Sequence, residues 1–113
     1  MPYKFKLKFY TPGLLKKLGF EYSLKSDTEN TYYYKSFPVI KYNKIPILFA
    51  VILINIDNNN VQIDVYDKNN DCYSPWYLRK NGFGAPIYRD LIQKIDNRIM
   101  KEIKKIGIIK WEK

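Results

Sequence analysis

Residues 45–56, Ile-Pro-Ile-Leu-Phe-Ala-Val-Ile-Leu-Ile-Asn-Ile, constrain this chain more than any other stretch. The run is almost wholly apolar and rich in β-branched side chains, which favour a pleated surface. Residues 61–67 then alternate: Val61, Ile63 and Val65 on one side, Gln62, Asp64 and Tyr66 on the other. The tetrad Asp57-Asn-Asn-Asn60 between them is rich in turn formers. Together they predict a β-hairpin whose first strand is central and buried on both faces.

The flanks follow the same logic. In residues 3–10, Tyr3, Phe5, Leu7 and Phe9 alternate with Lys4, Lys6 and Lys8, as in a strand with one wet face. Those lysines suit phosphate contacts or the protection of a sheet edge. Thr11 as N-cap, Pro12 in the first turn and Gly19 as terminator predict a short helix over 11–19. Residues 25–31 read as a polar loop and 32–37 as a strand, with Pro38 marking an edge or bulge. Tyr42-Asn-Lys44 turns the chain into the central strand.

Residues 68–84 show no period and read as a loop, although Tyr73, Trp76, Tyr77 and Phe83 crowd into it. A helix is predicted from near Pro86 to Ile106. Its stripe is Ile87, Leu91, Ile95, Ile99, Ile103 and Ile106, with Ile92 beside it. Residues 108–113 fit a short strand or a docked Trp111. The expected fold is therefore a single α+β domain spanning 1–113. It has an antiparallel sheet of about four strands, a meander around the central hairpin, covered by one long C-terminal helix.

Charge narrows the partners. The net charge is +9, unevenly spread. Residues 1–44 carry nine Lys against three acids, residues 45–75 one Lys against four Asp, and residues 76–113 ten basic against four acidic residues. Such a field attracts polyanions. Yet 17 of the 20 basic residues are Lys, and Ile, Lys, Asn and Tyr make up 53 of 113 residues, a bias that AT-rich codons also produce. The scarcity of Arg argues against base-edge readout.

Several chemistries find no support in the composition. There is no histidine, and hence no Ser–His or Cys–His pair. Cys72 stands alone, so no internal disulfide forms and no zinc set is present. No phosphate-binding glycine motif occurs. Asp57, Asp64 and Asp67 allow one enzyme alternative, a metal-dependent nuclease, but no lysine follows Asp64 at the spacing such a site uses. The expectation is a non-enzymatic protein without catalytic residues, metal or cofactor. The single cysteine, the absence of a signal-like start and an apolar run about half the length of a membrane span point to the cytoplasm.

Two candidate binding sites remain. The first is the aromatic-basic stretch Tyr73, Trp76, Tyr77, Arg79, Lys80 and Phe83, suited to stacking on unpaired bases or anchoring a protein interface. In so small a chain, at least two of these rings are expected in the core. The second is the helix flank Lys94, Arg98, Lys101 and Lys105. Its spacing makes a stripe roughly 16 Å long that can follow a phosphate backbone of RNA or DNA. The competing reading is a solvated face in which Asp90 and Glu102 pair with Lys94 and Arg98.

The segments Phe37-Pro-Val-Ile-Lys-Tyr42, Ile63-Asp-Val-Tyr-Asp67, Tyr73-Ser-Pro-Trp-Tyr77 and Lys104-Lys-Ile-Gly-Ile108 together resemble small accessory proteins of phages and mobile elements from AT-rich Gram-positive bacteria. The resemblance covers most of residues 17–108. It implies a protein that binds and inhibits a host protein or ribonucleoprotein, as anti-CRISPR inhibitors do, and carries over no catalytic residue. Many such inhibitors are acidic DNA mimics. This basic chain would act differently, on guide RNA or on an acidic protein surface.

Overall fold

The computed structural model describes residues 4–7, 12–58, 60–80, 88–106 and 108–112. Its centre is the expected hairpin. Strand β4 (Ile45–Asn55) pairs antiparallel with β5 (Asn60–Asp67), from Leu48 opposite Asp67 to Asn55 opposite Asn60. The connecting turn closes on its own side chains. Asn55 Oδ1 accepts from the Asp57 amide at 3.0 Å, and Asn58 Oδ1 accepts from the Asn60 amide at 3.0 Å.

On its other side β4 pairs with β3 (Tyr32–Tyr42). The two join at Asn43-Lys44, both at positive φ, the conformation a two-residue hairpin turn demands. Pro38 does not end β3. The strand continues past it with register shifts between Pro38 and Lys41, because β2 (Glu21–Tyr22) reaches only Tyr33 and Tyr34 and leaves Pro38 at a free edge. Strands β2 to β5 thus form an antiparallel meander. Strands β1 (Lys4–Leu7) and β6 (Ile108–Glu112) continue the sheet beyond β5, in the order β2-β3-β4-β5-β1-β6.

Among the described residues, three helices accompany the sheet: α1 (Pro12–Lys17), α2 (Ser74–Lys80) and α3 (Arg89–Ile106). The fold is α+β. Ile92, Ile95, Ile99 and Ile103 of α3 are buried with Leu48, Ala50, Ile52 and Ile54 of β4 and Val61, Ile63 and Val65 of β5. Each of these leucine, isoleucine and valine side chains contributes about 1.5–3 kcal/mol on leaving water. Leu91 packs at the margin, while the expected helix start at Pro86 and Ile87 and the Ile106 side chain lie outside the described part.

Two expectations fail here. Residues 74–80 are helical, not loop; two turns are too short to show a period, and a single fully buried ring, Trp76, ties them down. Strand β4 is buried on one face, not both. Leu48, Ala50, Ile52 and Ile54 are enclosed, whereas Phe49, Val51 and Leu53 stay partly exposed and Ile45 and Ile47 are exposed. Its outward apolar residues have no layer above them among the described residues.

The end of α1 shows how the sequence builds one junction. Gly19, at φ +93°, occupies the left-handed position after the helix. The Phe20 amide bonds to the Leu15 carbonyl at 2.9 Å and the Gly19 amide to the Lys16 carbonyl at 3.1 Å, a Schellman closure. Leu15 and Phe20, the apolar pair that accompanies this motif, are both buried. The closure leaves the Leu18 carbonyl to accept from Lys35 Nζ at 2.8 Å.

Candidate protein-docking surface

The aromatic-basic stretch is pulled apart by the fold. Trp76 is 0% exposed and donates its indole N–H to Asp96 of α3 at 3.0 Å, so it is a core residue and not a contact surface. Tyr77 packs edge-on against it at 4.9 Å between ring centroids. The Tyr77 hydroxyl donates to Asp64 Oδ1 at 2.9 Å and accepts from the Val65 amide at 3.1 Å. The Tyr73 amide donates to the Val65 carbonyl at 2.9 Å. Beyond Gln62, β5 has no β1 partner in the described register, so these contacts satisfy the backbone of an otherwise open strand edge. Tyr73 and Tyr77 are thus edge covers. Arg79 and Lys80 belong to α2, their side chains lying outside the described part, as does Phe83 altogether.

Burial pushes the Tyr77 phenol far up, the Val65 amide opposes this, and the Asp64 carboxylate adds to it, so the hydroxyl stays protonated and donating. We expect Tyr77→Phe to leave the Val65 amide without its acceptor, at a cost of about 1–3 kcal/mol. Amide hydrogen exchange should rise at Val65 before it rises at Ile52. Equal protection of Val65 in both proteins would refute the edge-cover role.

The helix stripe keeps three of its four cations on the surface. Lys94, Lys101 and Lys105 are exposed. Arg98 is committed elsewhere: its Nη1 lies 2.9 Å from Glu102 Oε1, and its guanidinium sits 4.8 Å from the Phe37 ring centroid. Glu102 is 3% exposed and also meets Lys35 Nζ at 3.0 Å. Burial alone would push its carboxyl up, but hydrogen bonds and charge from Arg98 and Lys35 outweigh that and hold it below the ordinary carboxylate range.

The three aspartates of the nuclease alternative each serve the fold. Asp57 Oδ2 accepts from the Thr31 amide at 2.7 Å. Asp67 Oδ1 accepts from the Asn69 and Asp71 amides at 2.8 and 3.1 Å. Asp64 receives Tyr77. Among the described residues, no three His, Cys, Asp or Glu side chains gather as a metal site.

What the sequence reading missed is the outer face of the sheet. Ile45, Ile47, Phe49, Val51 and Leu53 run along β4 on this side, a stripe roughly 27 Å long at about 3.4 Å per residue. Register places Tyr34, Ser36 and Pro38 of β3 opposite Leu53, Val51 and Phe49, and Tyr42 opposite Ile45. On the β5 side, Gln62, Asp64 and Tyr66 stand opposite Leu53, Val51 and Phe49. Beyond Leu48, β3 and β4 project past β5 as an arm, with Tyr42 69% and Ile45 65% exposed at its tip.

A depression of about 450 Å³ lies on this face. Val51 and Leu53 line it with Tyr34, Tyr66 and Asp64, and Lys25 and Asn70 contribute from loops. A second, of about 380 Å³, lies between β5 and α2, lined by Gln62, Asp64, Tyr66, Cys72, Tyr77 and Leu78. The Tyr34 hydroxyl donates to Glu21 Oε2 at 2.9 Å, which fixes one wall of the surface. Contiguous exposed apolar surface of this kind marks interaction sites.

Comparison with protein-family models, curated proteins and solved structures returns no match. No described helix is long and apolar enough to cross a membrane.

Proposed function

We propose that this chain is a non-enzymatic binding module that docks a host protein, free or within a ribonucleoprotein, through the outer face of its sheet. In this reading α3 is the cover of one sheet face, and the other face is left for the partner. The carrying observation is the apolar stripe from Leu53 to Ile45, which has no cover among the described residues.

Charge separates a protein partner from nucleic acid on this face. Asp64 lies within it and Glu21 borders it, with Lys25 at the rim of the same depression. The segment 45–75 carries four Asp against one Lys. This face therefore lacks the cation excess that a phosphate backbone requires. Tyr34, Tyr66 and Tyr42 beside aliphatic residues resemble the centre of a protein interface, where tyrosine is enriched. Seen with the resemblance to phage and mobile-element proteins, the module acts by occlusion: it inhibits by covering a surface its target needs. The setting is the host cytoplasm, where the exposed thiol of Cys72 stays reduced.

The test uses the intact protein as bait in extract of a candidate host, with nuclease treatment in parallel, followed by reconstitution with the purified captured protein. Ile47→Asp and Val51→Asp should each weaken the reconstituted complex by about 30-fold or more, the loss of a hot spot of roughly 2 kcal/mol, with circular dichroism unchanged. The proposal fails if both variants bind as the parent does, or if the captured material is nucleic acid without protein.

A further inference from the structure

We infer that the opposite, helical side of the molecule binds the phosphate backbone of nucleic acid along the seam between α1 and α3. This goes beyond the docking surface and does not rest on it.

The fold builds the seam from parts distant in sequence. Lys35 Nζ bridges the Leu18 carbonyl at the end of α1, 2.8 Å away, and Glu102 of α3, 3.0 Å away. Glu102 in turn holds Arg98 at 2.9 Å and has Lys105 Nζ at 3.8 Å. Lys16 and Lys17, in the last turn of α1 just before Leu18, are exposed, as are Lys101, Lys104 and Lys105 in the last turns of α3 around Glu102. Lys35 thus ties the end of α1 to the cationic last turns of α3.

A structural explanation competes with this one, since lysines favour helix C-termini, where they complement the macrodipole. Magnitudes decide between them. Each helix end carries at most about half a negative charge. Glu102 removes one further unit. Against these stand Lys16, Lys17, Lys35, Arg98, Lys101, Lys104 and Lys105, so a positive excess of about five remains. Two helix ends do not account for it.

The chemistry fits phosphate better than an acidic protein. The exposed cations are lysines, mobile point charges that position a backbone without reading sequence. The one arginine present is held by Glu102 and the Phe37 ring, and so cannot serve as a protein-interface anchor. Lys94 to Lys105 spans roughly 16 Å along α3, a length over which a duplex presents about ten charges.

The experiment titrates the full chain with a fluorescent 20-base-pair duplex of arbitrary sequence at several salt concentrations. Four phosphate contacts give a slope of log K against log salt of about −3.6, which is roughly 150-fold weaker binding between 50 and 200 mM salt. Replacing Lys16, Lys17, Lys101 and Lys105 together by Gln should flatten the slope by about three units or more. A charge-matched control replaces Lys25, Lys41, Lys44 and Lys68, all exposed and away from the seam. It should bind within about 3-fold of the parent, and thermal unfolding should confirm that both variants fold. Equal losses in the two variants would reduce the effect to net charge and overturn the inference. So would absence of binding at low salt, or capture by anionic lipid vesicles with none by the duplex. Because Ile47→Asp and Val51→Asp leave the seam intact, failure of the docking surface and failure of the seam are read separately.

Discussion

Trp76→Ala should lower stability by about 4 kcal/mol, within the range of about 3–5 kcal/mol for removing a buried large aromatic. Trp76 is 0% exposed and lies among the largest enclosed side chains. Its loss opens a cavity between α2 and the rest of the core and withdraws the indole donor from Asp96. It also removes the ring against which Tyr77 packs, and Tyr77 holds α2 to the edge of β5. For a chain of this size, about 4 kcal/mol corresponds to a fall in Tm on the order of 15 °C. Trp76→Phe should cost roughly half as much, because it keeps the apolar contact and loses the hydrogen bond. Urea denaturation of the three proteins measures both steps. A Trp76→Ala variant as stable as the parent would show that the indole is not a core element.

The contrast between Trp76 and the β4 stripe shows what the chain discloses without coordinates. The hairpin at 45–67, its turn, the α1 terminator at Gly19 and the Ile92–Ile103 stripe were legible because each is a local pattern with a physical cause: alternation, turn chemistry, a left-handed glycine, a helical period. Whether an apolar residue is covered is not local. Residues 45–54 are apolar on both sides, so the pattern suggested burial on both. Among the described residues a single long helix, α3, is buried with the inward residues of β4 and β5, and none covers the outward ones. That count was available in the sequence and would have pointed to Phe49, Val51 and Leu53 as surface.

The candidate binding residues were harder to read for a related reason. Tyr73, Trp76 and Tyr77 have the composition of an interface anchor, yet the same rings serve a short helix that has few other means of attachment. Composition does not separate these roles; the indole bond to Asp96 and the phenol bond to Val65 do. Arg98 was placed in a stripe by spacing, and spacing was right about its face of α3. Phe37, whose ring it covers, and Lys35, which shares Glu102 with it, lie more than sixty residues away in the chain. The tie between the end of α1 and α3 was invisible for the same reason, since nothing local links Leu18 to Glu102.

Glu102→Gln is expected to destabilise the protein by about 2–3 kcal/mol at neutral pH. Breaking a buried ion pair costs about 3–5 kcal/mol. The lower figure applies because the Lys35 and Arg98 side chains remain 24% and 34% exposed and recover part of their hydration. The effect should depend on pH in a defined direction. The Glu102 carboxyl has its pKa lowered in the folded chain relative to its ordinary value, burial being outweighed by Arg98 and Lys35. A group of that kind stabilises the fold fully above its unfolded pKa, and the contribution fades as pH falls through the folded value. The gap in unfolding free energy between the parent and Glu102→Gln should therefore be constant from about pH 7 to pH 5. It should narrow below about pH 4, under the ordinary glutamate range. Other carboxylates also titrate there, but they are common to both proteins and cancel in the difference. Urea denaturation of the pair at pH 7, 5, 4 and 3 gives the curve. A gap that stays constant to pH 3, or widens, would mean that Glu102 is not held ionised by Lys35 and Arg98, and that the link between α3 and β3 rests on packing alone.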